Sequence, residues 1–297
     1  MIALLVPGGN GQLGQEIAAK APTGSLVHSP GSKELDVTQA GSVVQAVDAL
    51  VAEAGDRAPI VINAAAYTAV DAAEDDRNTA FSVNGDGPRL LAAVCASRSV
   101  PLIHVSTDYV FSGDKPEPYE VDDEVGPQSI YGLTKLAGES SVLRSGADAW
   151  VVRTAWVYGA FGSSNFVRSI VRLEGERETL SVVDDQRGSP TWTADLASGL
   201  LELASKVVSG DGPAARVLHC AGGGETTWYG FARAIFEELG ADPDRVKPCT
   251  SAEFPRPAKR PANSVLSQAS WVDAGLTPLR SWREALTEAF KTNLVTR

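Results

Sequence analysis

Ile2-Ala-Leu-Leu-Val6 runs directly into Pro7-Gly-Gly-Asn-Gly11-Gln-Leu-Gly14, and the reading of this junction decides the fold. The first five residues are apolar without alternation, the pattern of a strand buried on both faces. The glycines that follow fall at Gly8-x-x-Gly11-x-x-Gly14, with the first gap one residue longer than in the G-x-G-x-x-G form. Gln12–Lys20 then reads as an amphipathic helix. A glycine-rich turn between a buried strand and a helix leaves the backbone open to an anion, because no Cβ intervenes. The helix N-terminus adds free N–H groups and the positive end of its dipole. A dinucleotide pyrophosphate suits this cradle; a tight turn with no ligand is the plainer alternative.

The same alternation continues outward. Leu26–Ser29, Ile60–Asn63, Leu102–Ser106 and Trp150–Thr154 read as strands, separated by helical patterns at Ser42–Glu53, Thr79–Ala96 and Tyr131–Arg144. Apolar strands alternating with helices predict βαβ units and a parallel sheet covered on both faces, a doubly wound α/β (Rossmann) fold. Regularity weakens after residue 160. There the pattern predicts helices at Phe166–Leu173, Asp195–Val207 and Trp228–Leu239, strands at Leu180–Val183 and Val217–Cys220, and a loop over Asp184–Pro190. Residues 1–160 are expected to form the dinucleotide-binding domain, completed by about 190–222, and 161–297 mainly a smaller substrate-binding domain. Pro255-Arg-Pro-Ala-Lys-Arg-Pro261 suits either a flexible linker or a fixed loop over a phosphate, and composition does not separate the two.

The chain has 297 residues, 43 % hydrophobic and 21 % charged, which supplies a sizeable core and excludes global disorder. Against 26 Lys+Arg stand 37 Asp+Glu, a net charge of −11, which disfavours nucleic acid and anionic membrane surfaces as partners. Cys95, Cys220 and Cys249 are too few and scattered for a disulfide framework or a metal knuckle, so a reducing compartment is expected. The N-terminus lacks the basic lead of a signal peptide, and no run reaches the roughly 18 apolar residues of a membrane span. A cytoplasmic location is expected, with a homodimer left open.

Cofactor choice turns on the end of the second strand. His28-Ser-Pro-Gly-Ser-Lys33 holds no carboxylate and one cation. An acid there would hold a ribose 2′-hydroxyl, so its absence favours the 2′-phosphate of NADPH, with NADH still open. Asp36 follows this turn and suits either the adenine edge or a cap for the next helix. Ala64, Ala65 and Ala66 close the strand that ends at Asn63. Their small size leaves room for a cofactor in the crevice, or simply for close helix packing.

Two segments carry chemistry. The strand Leu102–Ser106 leads into Thr107-Asp-Tyr109, and Tyr131-Gly-Leu-Thr-Lys135 begins 25 residues beyond Ser106. Tyr131 and Lys135 lie one turn apart on one helix face. An ammonium beside a phenol favours phenolate, so Lys135 is expected to lower the Tyr131 pKa toward a useful range for proton transfer. His28, His104 and His219 stand in or beside strands and read as structural.

Together these pieces resemble the extended short-chain dehydrogenase/reductase family, and within it the reductases of dTDP-linked 4-keto-6-deoxy sugars. The resemblance runs in order through Gly8–Gly14, Asn63-Ala-Ala-Ala-Tyr-Thr-Ala-Val-Asp71, Ser106-Thr-Asp-Tyr-Val-Phe111 and Tyr131-Gly-x-Thr-Lys135. It continues through Arg153-Thr-Ala-Trp-Val-Tyr158, Asn165-Phe166, Asp185-Gln-x-Gly-x-Pro-Thr191 and Arg260-Pro-x-Asn-Ser264, nearly the whole chain. It implies Tyr131 as proton donor, Lys135 as its partner and nicotinamide-ribose ligand, and Thr107 in place of the Ser that many relatives use to hold the reacting carbonyl. A cofactor lined by Gly8, Gly11, Gln12, Leu13, Gly14, Asp36, Val37, Ala64, Ala65, Ala66 and Tyr67 is implied. So is a nucleotide sugar met by Thr68, Val70, Thr107, Asp108, Trp156 and Arg260. Trp156 would pack on the apolar face of the deoxysugar, and Arg260 with Lys259 would neutralise the diphosphate.

The implied reaction is reduction of the C4 keto group of dTDP-4-dehydro-β-L-rhamnose to dTDP-L-rhamnose by NADPH. Asn84-Gly-Asp-Gly-Pro88 is a breaker run where the family has a helix carrying an active-site Asn. Some relatives hold a divalent metal through acids at a dimer interface. Glu16 fits one such acid, whereas Ala194 stands where another is wanted, with Asp195 beside it. No metal ligand is assigned, and Mg2+ is left open. The rivals are a related epimerase or dehydratase, and a non-catalytic regulatory subunit that binds cofactor. Asp108-Tyr109 in place of Asp-Glu argues against the dehydratase, and intact Tyr131 and Lys135 against the regulatory subunit.

Overall fold

A computed structural model describes residues 1–162 and 164–292; the far limit expected for the second domain, residue 297, lies outside them. The chain alternates β1 (Ile2–Leu5), α1 (Gln12–Lys20), β2 (Leu26–His28), α2 (Ala40–Glu53) and β3 (Ala58–Asn63). Helices α3 (Arg77–Phe81) and α4 (Gly87–Arg98) follow, then β4 (Leu102–Thr107), α5 (Ile130–Leu143) and β5 (Ala149–Thr154). Next come β6 (Val157–Tyr158), α6 (Phe166–Glu176), β7 (Leu180–Val183), β8 (Arg187–Gly188) and β9 (Thr191–Trp192). The chain continues through α7 (Thr193–Val208), β10 (Val217–His219), β11 (Thr226–Thr227), α8 (Trp228–Glu238), β12 (Val246–Cys249), α9 (Ala269–Asp273) and α10 (Trp282–Lys291).

Six strands form one parallel sheet in the order β2-β1-β3-β4-β5-β10. Successive side chains of a strand point to opposite faces, so β1 sends Ile2 and Leu4 into one core and Ala3 and Leu5 into the other. Ile17 of α1 and Leu196 and Leu200 of α7 fill the first core; Val43 and Val47 of α2 and Leu91 of α4 fill the second. Each of these six is fully buried, which stabilises the fold by about 1.5–3 kcal/mol per side chain. The chain leaves β1 toward β2 on one side and returns to β3 on the other. The crevice at the carboxyl ends of β1 and β3 is therefore the switch point where ligands bind in sheets of this doubly wound kind. Outside the sheet, α6, α8 and α10 surround a further core containing Tyr158, Phe231, Phe236 and Leu286, and β7 pairs with β12.

One sequence expectation changes here, and one open alternative is decided. The single helix expected over Thr79–Ala96 is instead α3, a π turn over Ser82–Asp86, and α4. Asn84 explains the widening. Its buried amide accepts from the Tyr67 N–H (2.8 Å) and donates to the Tyr67 carbonyl and the Thr134 hydroxyl, both at 3.1 Å. These bonds tie the helix to the loop after β3 and to α5, so the breaker run stays helical by opening one turn. The Pro255–Pro261 segment is a fixed loop: Ala258 is buried, and its N–H donates to Asp71 Oδ1 at 3.2 Å.

Candidate active site

At the end of β1 the chain turns through Gly8, whose φ of +85° lies in the left-handed region. A Cβ there would fall 2.7–2.8 Å from backbone atoms of Ala64 and Ala65, so the cradle and the alanine run touch through their main chains. Gly11 is the N-cap of helix α1 and no side chain caps its first turn, which leaves those N–H groups for a ligand. Gly14 and the buried Leu13 belong to that first turn. Gln12 donates to the Val157 carbonyl at 3.2 Å and accepts from Asn165 at 3.5 Å, which brings the segment after β5 over the start of α1.

The Gly9 N–H donates to the Pro30 carbonyl (2.9 Å), so the end of β2 lies against the cradle. Beside it Ser29 Oγ is buried without a hydrogen-bond partner. A main-chain cradle, an uncapped helix start and an orphaned hydroxyl together fit a bound dinucleotide. Ala66 and Tyr67 are half-buried and Val37 is buried. Asp36 is exposed and neither caps α2 nor stands free. Its carboxylate accepts from the Thr38 N–H (2.9 Å) and hydroxyl (2.7 Å), while Gln39 occupies the cap position. Glu34, one residue past the stretch read for cofactor choice, folds back to accept the Gly31 N–H at 2.7 Å.

Thr107, Tyr131 and Lys135 meet where β4 ends against α5. Thr107 Oγ1 donates to Asp108 Oδ1 (2.9 Å) and accepts the Tyr109 N–H (3.3 Å), and it stands near enough to the Tyr131 phenol to ease its ionisation. The rings of Tyr109 and Tyr131 meet edge-on at 5.6 Å. Lys135 is 2 % exposed, and its Nζ donates to the Val105 carbonyl at 2.7 Å. The expected lowering of the Tyr131 pKa is not found. Burial pushes the phenol up to about 12, with Thr107 easing it and Asp108 adding to it. Removal of water from the phenol outweighs the one-turn spacing, since the Lys135 amine is turned to Val105 and burial brings its own pKa down to about 8. A phenol so held keeps its proton at neutral pH, the form a proton donor requires.

Asp108 is 2 % exposed, and burial raises its carboxyl to about 6, opposed by the nearby Ser264 and Thr107 hydroxyls, of which Thr107 donates to Oδ1 while Oδ2 has no hydrogen-bond partner. Because the folded pKa lies above the ordinary 3.8, the native state binds the extra proton between these values and loses stability as pH rises through them. Asp108→Asn is therefore expected to raise stability by about 2–3 kcal/mol at pH 8 and by little at pH 4. Thermal melts at both values check this; an equal gain at pH 4 would remove the charge from the explanation.

Behind Lys135, the Glu139 carboxylate and the Arg153 guanidinium form a buried pair at 2.8 Å. Sequence reasoning passed over this pair, although Glu139 continues the Tyr131–Lys135 face by one more turn. Trp156 lies parallel to Trp228 with ring centroids 3.5 Å apart, so the face expected to pack on a sugar is covered on that side. Arg260 is not a free cation. It pairs with Asp71 at 2.5 Å, as Arg256 does, because Asp71 follows Thr68 and Val70 on the loop that faces the proline-rich segment. Lys259 donates to Gln128 at 3.1 Å.

Glu16 is buried and accepts from the Thr193 hydroxyl at 3.2 Å, with its pKa raised chiefly by burial. Asp195 pairs with Arg280 at 2.9 Å. Among the described residues no His, Cys, Asp and Glu cluster is gathered for a metal, and no helix is long and apolar enough to cross a membrane. His104 is buried against the Asn63 amide (3.0 Å) with its pKa well below the usual range, and burial takes His219 down to about 3. His28 pairs with Glu53 at 3.1 Å.

Residues 2–295 match the family described as the RmlD substrate binding domain. The chain is 47 % identical over 288 residues to a dTDP-4-dehydrorhamnose reductase of Streptomyces griseus, covering 96 % of this chain and 92 % of that one. A solved dTDP-4-dehydrorhamnose reductase from Clostridium acetobutylicum aligns with a TM-score of 0.89 at 37 % identity, over 99 % of this chain and 100 % of that one. Another from Bacillus anthracis, in complex with NADP, gives 0.89 at 34 % identity, over 98 % and 100 %.

Proposed function

The chain belongs to the RmlD substrate binding domain family, and from that premise we propose that it reduces dTDP-4-dehydro-β-L-rhamnose to dTDP-L-rhamnose with NADPH. The observation that carries this reading is the gathering of Thr107, Tyr131 and Lys135 at the carboxyl end of β4, on the same edge of the parallel sheet as the glycine cradle after β1. NADPH, when bound, would supply the hydride that reduces the C4 carbonyl carbon. Thr107 and Tyr131 hold the carbonyl oxygen by hydrogen bonds, and Tyr131 gives its proton to that oxygen as it becomes an alkoxide. Lys135 keeps two further N–H donors beyond its bond to Val105. One holds the nicotinamide ribose, and the ammonium stabilises the phenolate left on Tyr131.

Gly8, Gly11, Gln12, Leu13, Gly14, Val37 and Ala64–Tyr67 line the cofactor. Ser29 stands at the end of β2 as a neutral neighbour for the 2′-phosphate, while Asp36 closes its own turn. Thr68, Val70, Asp108, Trp156 and the Arg260 loop hold the nucleotide sugar. The main sheet with α7 and β10 serves the cofactor, and the remaining C-terminal elements mainly the substrate.

The test is loss of NADPH absorbance on mixing the protein with dTDP-4-dehydro-β-L-rhamnose, with NADH run in parallel. Turnover is expected, with kcat/KM higher for NADPH. NADPH binding without turnover would favour a regulatory subunit, and a several-fold preference for NADH would overturn the cofactor assignment.

A further inference from the structure

Trp156 is held from both sides. On one side the indole of Trp228 lies parallel to it, 4° between planes and 3.5 Å between centroids. On the other is Gly188, where a Cβ would stand within 2.6 Å of Cε2, Nε1 and Cζ2 of Trp156 at once. Near-equal short distances to three consecutive ring atoms put that position over the ring plane and not beyond its edge. No Trp228 atom is among its nearest neighbours, so Gly188 covers the face opposite to Trp228. The Trp156 backbone supports the same pose: its φ is +46°, uncommon for a bulky residue, and its carbonyl accepts the Thr191 N–H at 3.2 Å. The indole Nε1 makes no hydrogen bond among the described residues and is not sealed from solvent.

We infer that Gly188 and Trp228 are positioning residues that clamp Trp156, so that it meets the sugar by its edge, with Nε1–H donating to a sugar oxygen, and not by a ring face. The inference rests on the assignment of Trp156 to the sugar site. Face-on packing would require Trp156 to leave a stack that is already closed above and below. An edge donor recognises a hydroxyl or keto oxygen, so the clamp converts an apolar side chain into a polar selector.

Two stacked indoles couple their excited states, and the far-ultraviolet circular dichroism couplet of this pair reports the clamp directly. It is to be recorded on the whole protein with and without saturating dTDP-L-rhamnose and NADP, beside steady-state kinetics of variants. The couplet is expected to survive saturation, and Trp156→Phe, which keeps a flat ring but no N–H, to raise KM about tenfold. Trp228→Ala should raise KM with kcat changed by less than about twofold, and Trp228→Phe should restore most of the loss because a flat ring still backs Trp156. Gly188→Ala should abolish the couplet and raise KM. Loss of the couplet on saturation would overturn the clamp, since Trp156 would then have swung out. Unchanged KM in Trp228→Ala and Gly188→Ala, with Trp156→Ala impaired, would overturn it while leaving Trp156 in the site. An unimpaired Trp156→Ala would remove both the site assignment and the clamp.

Discussion

Tyr131→Phe is expected to lower kcat by about 10²–10⁴-fold, the usual contribution of a positioned general acid, while NADPH affinity stays close to that of the wild type. The phenyl ring keeps its edge contact with Tyr109 at 5.6 Å, so the helix start remains packed. Thr107 keeps its bond to Asp108 at 2.9 Å, and Lys135 keeps Val105 at 2.7 Å. Only the transferable proton is gone. Single-turnover rates and NADPH titration by fluorescence separate the two effects. A variant retaining more than about a tenth of the wild-type rate would mean that another acid serves the alkoxide. Asp108, with its carboxyl raised to about 6, would be the group to examine. The pH profile follows from the same groups. Tyr131, at about 12, stays protonated throughout the working range, so the wild-type rate should fall on the alkaline side near the Lys135 value of about 8.

Arg153→Met is expected to cost about 3–5 kcal/mol of stability, because it strands a buried carboxylate. Glu139 is 1 % exposed and Arg153 4 %. The guanidinium donates through Nε at 3.0 Å and Nη2 at 2.8 Å to the two carboxylate oxygens, and through Nη1 to the Val121 carbonyl at 3.2 Å. It also lies over the Phe111 ring at 5.0 Å. Removing it takes away every one of these contacts while the Glu139 charge stays out of water. Replacing both partners, in Arg153→Met/Glu139→Leu, should recover most of the loss, since a neutral pair of similar volume carries no desolvation cost. Chemical denaturation of the two variants measures this. A single-variant loss below about 1 kcal/mol would mean that water or a proton reaches Glu139, and the account of a sealed pair would fail.

Much of the fold was legible because its signals are local. An unalternating apolar run before Gly8-x-x-Gly11-x-x-Gly14 specifies a buried strand, a backbone-lined turn and a helix start within 13 residues, and the structure places all three there. The repeat of apolar strands and helical patterns predicted the doubly wound sheet for the same reason: periodicity is a property of neighbours in the chain. Tyr131 and Lys135 were legible as a pair because a helical turn fixes their spacing.

Their charge states were not. Burial decides them, and burial depends on which surfaces close over α5: the phenol rises to about 12 where the sequence suggested a fall. Arg260 looked like a free cation until the fold set Asp71 against it, 189 residues earlier in the chain. Trp156 looked like an open ring face until Trp228 and Gly188 came to lie on its two sides. Asn84 sits in a run that reads as a helix breaker, yet its bonds to Tyr67 and Thr134 anchor that run as a helical turn. Spacing along the chain therefore determined the elements and singled out the groups proposed to react. The partners that set each group's charge, exposure and orientation come from distant segments and leave no periodic trace, so tertiary packing alone decided them.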